Sequence, residues 1–105
     1  MTDLENLKQL TAWDAVPELT EDELEECLAG VALEDLNGFA PINEEWTPTY
    51  DLNAAAAQAW LIKAARAAAT VDEPTAGVVT SKVFDNCRTM AQLFLRKRNL
   101  WVAVR

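Results

Sequence analysis

Histidine is missing from this 105-residue chain. With it go the commonest general base, the commonest zinc ligand and every Ser-His or Cys-His nucleophile pair. Cysteine is scarce: Cys27 and Cys87 stand far apart and form no C-x-x-C pair. Two free, buried thiols are therefore expected, with neither a zinc site nor a redox pair. Three glycines leave no Gly-rich loop to cradle a phosphate. No apolar run approaches the length of a membrane-spanning helix. The opening Met1-Thr-Asp-Leu-Glu5 lacks the basic and apolar regions of a secretory leader, so a cytoplasm, or a particle assembled in one, is the expected setting.

Positive charge is almost absent from the first half. Residues 1–50 hold thirteen acids and one base, Lys8, whereas residues 51–105 hold four acids and eight bases. The net −8 thus divides into −12 and +4. After Asp85 there is no acid, while Arg88, Arg96, Lys97, Arg98 and Arg105 accumulate. Such polarity suits either a protein that stacks acidic face on basic face or a monomer with two solvated faces.

What is present reads as one all-α domain, a small bundle of about four helices able to bury roughly 60–65% of its unfolded surface. Leu4, Leu7 and Leu10 predict a short first helix ending before Pro17. Thr20-Glu-Asp-Glu23 is a capping box. The helix it opens is expected to line up Leu24, Cys27, Leu28, Val31 and Leu36 and to stop at Asn37-Gly38. Residues 39–50, with Pro41 and Pro48, predict an extended loop pinned by Phe39, Ile42, Trp46 and Tyr50. Asp51 or Asn53 can cap the next helix, over 52–70, where ten of the sixteen residues from Ala54 to Ala69 are alanine. Its close-packing face is expected at Trp60, Leu61, Ala64, Ala65 and Ala68.

Residues 71–77 break that helix. A last helix is expected from Thr80 or Ser81 to about Arg98, with an apolar stripe through Val83, Phe84, Cys87, Met90, Ala91, Phe94 and Leu95. Residues 99–105 differ in kind: Leu100-Trp-Val-Ala-Val-Arg105 is β-prone and apolar. An extended or β-strand tail of this sort folds back on the helices or adds to another protein's sheet, and the second is the expectation. The domain division is therefore 1–98 for the helical body and 99–105 for a docking tail.

Chemical sites are poorly supported. The cluster Glu21, Asp22, Glu23, Glu25 and Glu26 is helical by pattern and lacks the alternating ligands and central Gly of a calcium loop, so it reads as a solvated acidic face. Carboxylates abound, but nothing selects a pair for acid–base work, and no catalytic, metal or cofactor residues are assigned. Arg96, Lys97, Arg98 and Trp101 can touch phosphates and a base, yet a chain with a sequence pI near 4.4 repels free DNA. The Ala-rich helix is too weakly amphipathic for a membrane surface.

The segment Trp46-Thr-Pro-Thr-Tyr-Asp-Leu-Asn-Ala-Ala-Ala-Ala-Gln-Ala-Trp60 has the character of an assembly element. Proline sets the entry direction, alanines admit a second backbone, and aromatic rings offer docking surface. It resembles the W-x-P-T-Y-D-L-N-A-A-A-A segment of the head–tail connector (adaptor) proteins of tailed bacteriophages. Lys63-Ala-Ala-Arg-Ala-Ala68, Cys87-Arg-Thr-Met-Ala91 and Arg96-Lys-Arg98 follow in the family's order, so the likeness spans roughly residues 18–98.

The resemblance implies a virion protein at the head–tail interface, assembled in the host cytoplasm as a dodecameric ring. Such a ring lies beneath the portal, extends the DNA channel without specific DNA binding, and presents a platform to the next head-completion or tail protein. On this reading Arg96, Arg98, Leu100, Trp101, Val102, Val104 and Arg105 meet the portal. Trp46, Tyr50, Asp51, Trp60, Lys63 and Arg66 lie between subunits. Glu21, Asp22, Glu25 and Glu26 face the channel or a neighbour. The competing class is a free acidic helical interaction protein, a DNA mimic or host-factor adaptor.

Overall fold

The computed structural model describes residues 2–69 and 77–98, with 77–81 as backbone only. Four helices occur among the described residues: α1 (Asp3–Thr11), α2 (Glu21–Ala29), α3 (Leu52–Ala69) and α4 (Gly77–Lys97). The architecture is the expected all-α bundle. The single β pairing among these residues is an isolated bridge between Ala32 and Tyr50. Residues 99–105 lie outside the described residues, and so does the tail expected there.

Local chemistry starts each of the first three helices. Thr2 and Glu5 form a capping box on α1, and Thr20 and Glu23 form another on α2. The Asp51 carboxylate accepts the Ala54 N–H at 3.1 Å and opens α3. Asn53 takes a different role from capping: its side-chain amide donates to the Lys97 carbonyl at 3.2 Å. The start of α3 therefore lies beside the end of α4, and the two long helices form an antiparallel hairpin. The short helices α1 and α2 pack against α3.

The buried face of α3 carries Ala55, Ala56, Ala57, Ala59, Lys63, Ala64 and Ala67. This corrects the expected face: of those five positions only Ala64 is buried, and Leu61 is exposed. Where two helix backbones run close, methyl groups fit and larger side chains turn away. Opposite them, α4 buries Cys87, Ala91 and Phe94, within the expected stripe. Leu7 of α1, Leu24, Cys27 and Leu28 of α2, and Leu19 from the turn between them close the core. Both cysteines are free and buried, and burial raises both thiol pKa values.

Two further boundaries and one packing position differ from expectation. The helix from Thr20 stops at Ala29 with Gly30 as its cap, well before Asn37-Gly38, and Leu36 is fully exposed. Ile42 pins nothing and is 95% exposed. Helix α4 begins at Gly77, because the reluctance of Val78 and Val79 to be helical is slight, roughly half a kcal/mol each.

Candidate functional site

Between α2 and α3 the chain forms a long loop whose ends are clamped together. The Leu33 N–H donates to the Thr49 carbonyl at 2.8 Å, and the Asp51 N–H donates to the Val31 carbonyl at 3.1 Å. Inside the loop Asp35 is buried, and its carboxylate accepts the N–H groups of Asn37, Phe39 and Thr47, each at 2.9 Å. Those donors hold its pKa below the usual carboxylate range. The turn that follows needs Gly38, whose φ of +85° places it in left-handed space.

The aromatic residues complete this scaffold. Trp46 donates its indole N–H to the Leu33 carbonyl at 2.8 Å, and its ring meets Tyr50 edge-on with centroids 5.7 Å apart. Both rings are half-buried. Trp46, Tyr50 and Asp51, expected between subunits, thus also hold their own loop together. The loop satisfies much of its backbone internally while displaying Leu36 and Ile42 outward.

On α3, Trp60 and Lys63 turn inward. The Trp60 indole N–H donates to the Leu10 carbonyl at 3.2 Å. Lys63 is 2% exposed, and its ammonium donates to the carbonyls of Thr11, Ala12 and Ala15 at 3.3, 2.6 and 3.1 Å. It also sits 4.9 Å from the Trp60 ring centroid. The expected placement of Lys63 between subunits is therefore corrected: its charge is used within the subunit, capping the C-terminal end of α1. Burial lowers its pKa from the usual lysine value.

Arg66, one turn on, is exposed and ion-paired with Glu23. It also donates to the Glu18 carbonyl at 2.8 Å. Arg66 and the capping bonds from Thr20 pull the Glu23 pKa down to about 2.

The acidic positions Glu21, Asp22, Glu25 and Glu26 are all exposed on α2, and Glu21 pairs with Lys8 of α1. Arg96, Lys97 and Arg98 are exposed at the end of α4. Leu100, Trp101, Val102, Val104 and Arg105, expected at the portal, lie outside the described residues. Among the described residues no group of three His, Cys, Asp or Glu side chains is placed to hold a metal ion, and no helix is long and apolar enough to cross a membrane.

Sequence reasoning missed Leu36 and Ile42 as display positions because it assigned both to packing. The Asp-x-Asn-Gly run at 35–38 was the available signal: Asp and Gly favour a turn, and a turn exposes the residue between them. No family model, curated protein or solved structure matches this chain.

Proposed function

We propose that this chain is a structural subunit that assembles with copies of itself into a dodecameric ring at the head–tail junction of a tailed phage, joining the portal to the next head-completion or tail protein. The observation that carries the reading is the aromatic loop. The residues of the resemblance, Trp46 to Asp51, brace it, and it presents Leu36 and Ile42 fully exposed. A braced loop loses little entropy on docking, so apolar side chains held out in this way favour association.

Charge supports the same reading. Carboxylates crowd the start of α2, and Arg96, Lys97 and Arg98 end α4. Head-to-tail contacts between unlike surfaces close into rings, and each contact can be weak because many act together. An acidic α2 face turned to the channel would repel phosphates and let DNA pass without specific binding. Turned sideways, it would meet the basic helix end of a neighbour.

The exposed acids of α2 favour one second reading, a free acidic interaction protein that mimics DNA or adapts a host factor. Deleting residues 99–105 separates the two. A connector stays folded and loses portal attachment, whereas a mimic keeps its activity. Charge reversal by Arg96→Glu and Arg98→Glu tests the basic end: unchanged loading onto purified portals in a sedimentation assay would remove it from the interface.

A further inference from the structure

A groove of about 490 Å³ opens between α2, α3 and the end of α4. Val31, Ile62 and Leu95 line it, each packed on the core yet only half-buried. Its charged residues are Glu23, Glu26 and Arg98. Glu23 is already paired with Arg66, and Glu26 on α2 is offset by Arg98 on α4. The exposed Arg96 and Lys97 beside Arg98 then leave the α4 side of the groove basic.

The loop between α2 and α3 has the complementary character. Leu36 and Ile42 are the two most exposed large apolar side chains among the described residues. Full exposure means that neither sits in the groove of its own chain. Glu44 and Glu45 follow Ile42 closely and are exposed as well. Asp35 and Trp46 hold the loop in shape, so docking orders little that is not ordered already. The chain therefore carries apolar side chains with an acidic flank and, elsewhere, an apolar recess with a basic flank. Complementary charge of this kind fixes which way two such surfaces meet.

We propose that Leu36 and Ile42 of one copy dock in this groove of the next, with Glu44 and Glu45 turned to the basic end of α4. The contact joins unlike patches, so it repeats from copy to copy and closes into a ring where the rotation allows. The inference rests on the copy-to-copy association proposed above and names the surface that receives the loop.

Two variants isolate a single contact. Leu36→Asp with Ile42→Asp removes the loop's anchors and keeps the groove. Gln58→Trp, at an exposed α3 position lining the groove, obstructs the groove and keeps the loop. Neither should associate with itself, and the two mixed should form a pair and nothing larger. The readout is the amide NMR spectrum of the isotope-labelled loop variant. Unlabelled groove variant, added up to about 1 mM so that even a weak contact is populated, should shift the Gln58, Ile62 and Leu95 amides with one-to-one saturation. Unlabelled loop variant should leave them unmoved. Should Gln58→Trp fail to fold, Gly30→Leu serves: Gly30 lines the groove with right-handed helical φ and ψ, and a Cβ there meets its neighbours at an ordinary 3.7 Å. Unmoved groove amides, or equal shifts with the loop variant, overturn the proposal. Native mass spectrometry on the portal separates this contact from the ring itself. A ring that Gln58→Trp forms as well as the parent overturns the loop–groove contact and leaves the ring standing. Groove shifts with no ring from the parent would support the contact and refute the ring.

Discussion

Lys63 shows how far a single side chain can depart from its usual place. A lysine amid alanines reads as solvated, because lysine is rarely buried without partners. Here the partners are carbonyls at the end of α1, brought to it only when α1 packs on α3; that juxtaposition has no signature in local spacing. Lys63→Met, which keeps the stem, should lose about 1–3 kcal/mol of stability in denaturant unfolding, since those carbonyls lose their donor. Ala12 caps the same helix in the left-handed region, with φ 45° and ψ 50°. Ala12→Gly should therefore stabilise by roughly 0.5–1 kcal/mol, the net of relieved strain and a freer unfolded chain. Glu23 gives a pH signature. Its pKa falls from 4.5 to about 2 on folding, so its contribution is full above pH 4.5 and is lost as pH falls through about 2. Unfolding midpoints measured across that window should fall less steeply in Arg66→Gln than in the unaltered chain.

At the scale of elements, the Thr20–Glu23 capping box, the alanine-rich helix and the stripe of α4 were legible because each is set by neighbours in sequence. The end of α2 was not. Leu24, Cys27, Leu28 and Val31 continue to Leu36 at helical spacing, but Gly30 ends the helix and the Asp35 carboxylate offers the next amides a competing set of bonds. The buried face of α3 was misread for a related reason: size, not hydrophobicity, decides which side meets a helix packed this close. Two predictions belong here. Asp35→Ala should abolish hydrogen-exchange protection at the Asn37, Phe39 and Thr47 amides while leaving the helices protected. Ala56→Leu should cost about 1–3 kcal/mol by overpacking the buried face of α3, against little change for Ala65→Leu on the exposed side.

At the scale of the whole molecule, the account rests on unlike surfaces. An acidic short helix packs on a hairpin that ends in basic residues, beside a loop that leaves Leu36 and Ile42 exposed. Composition made the charge division plain, but the loop's display needed the fold, since Leu36 and Ile42 look like packing residues until Asp35 and Trp46 are seen to hold the loop without them. Association that uses these charges should weaken as salt rises, because exposed pairs are screened beyond about 8 Å at physiological ionic strength. The most direct measurement is native mass spectrometry of the chain alone and mixed with its cognate portal, beside a Leu36→Asp, Ile42→Asp variant. The account predicts a closed multi-copy ring on the portal that the variant fails to form. A chain that stays monomeric with the portal, or a variant that assembles as well as the parent, would contradict it.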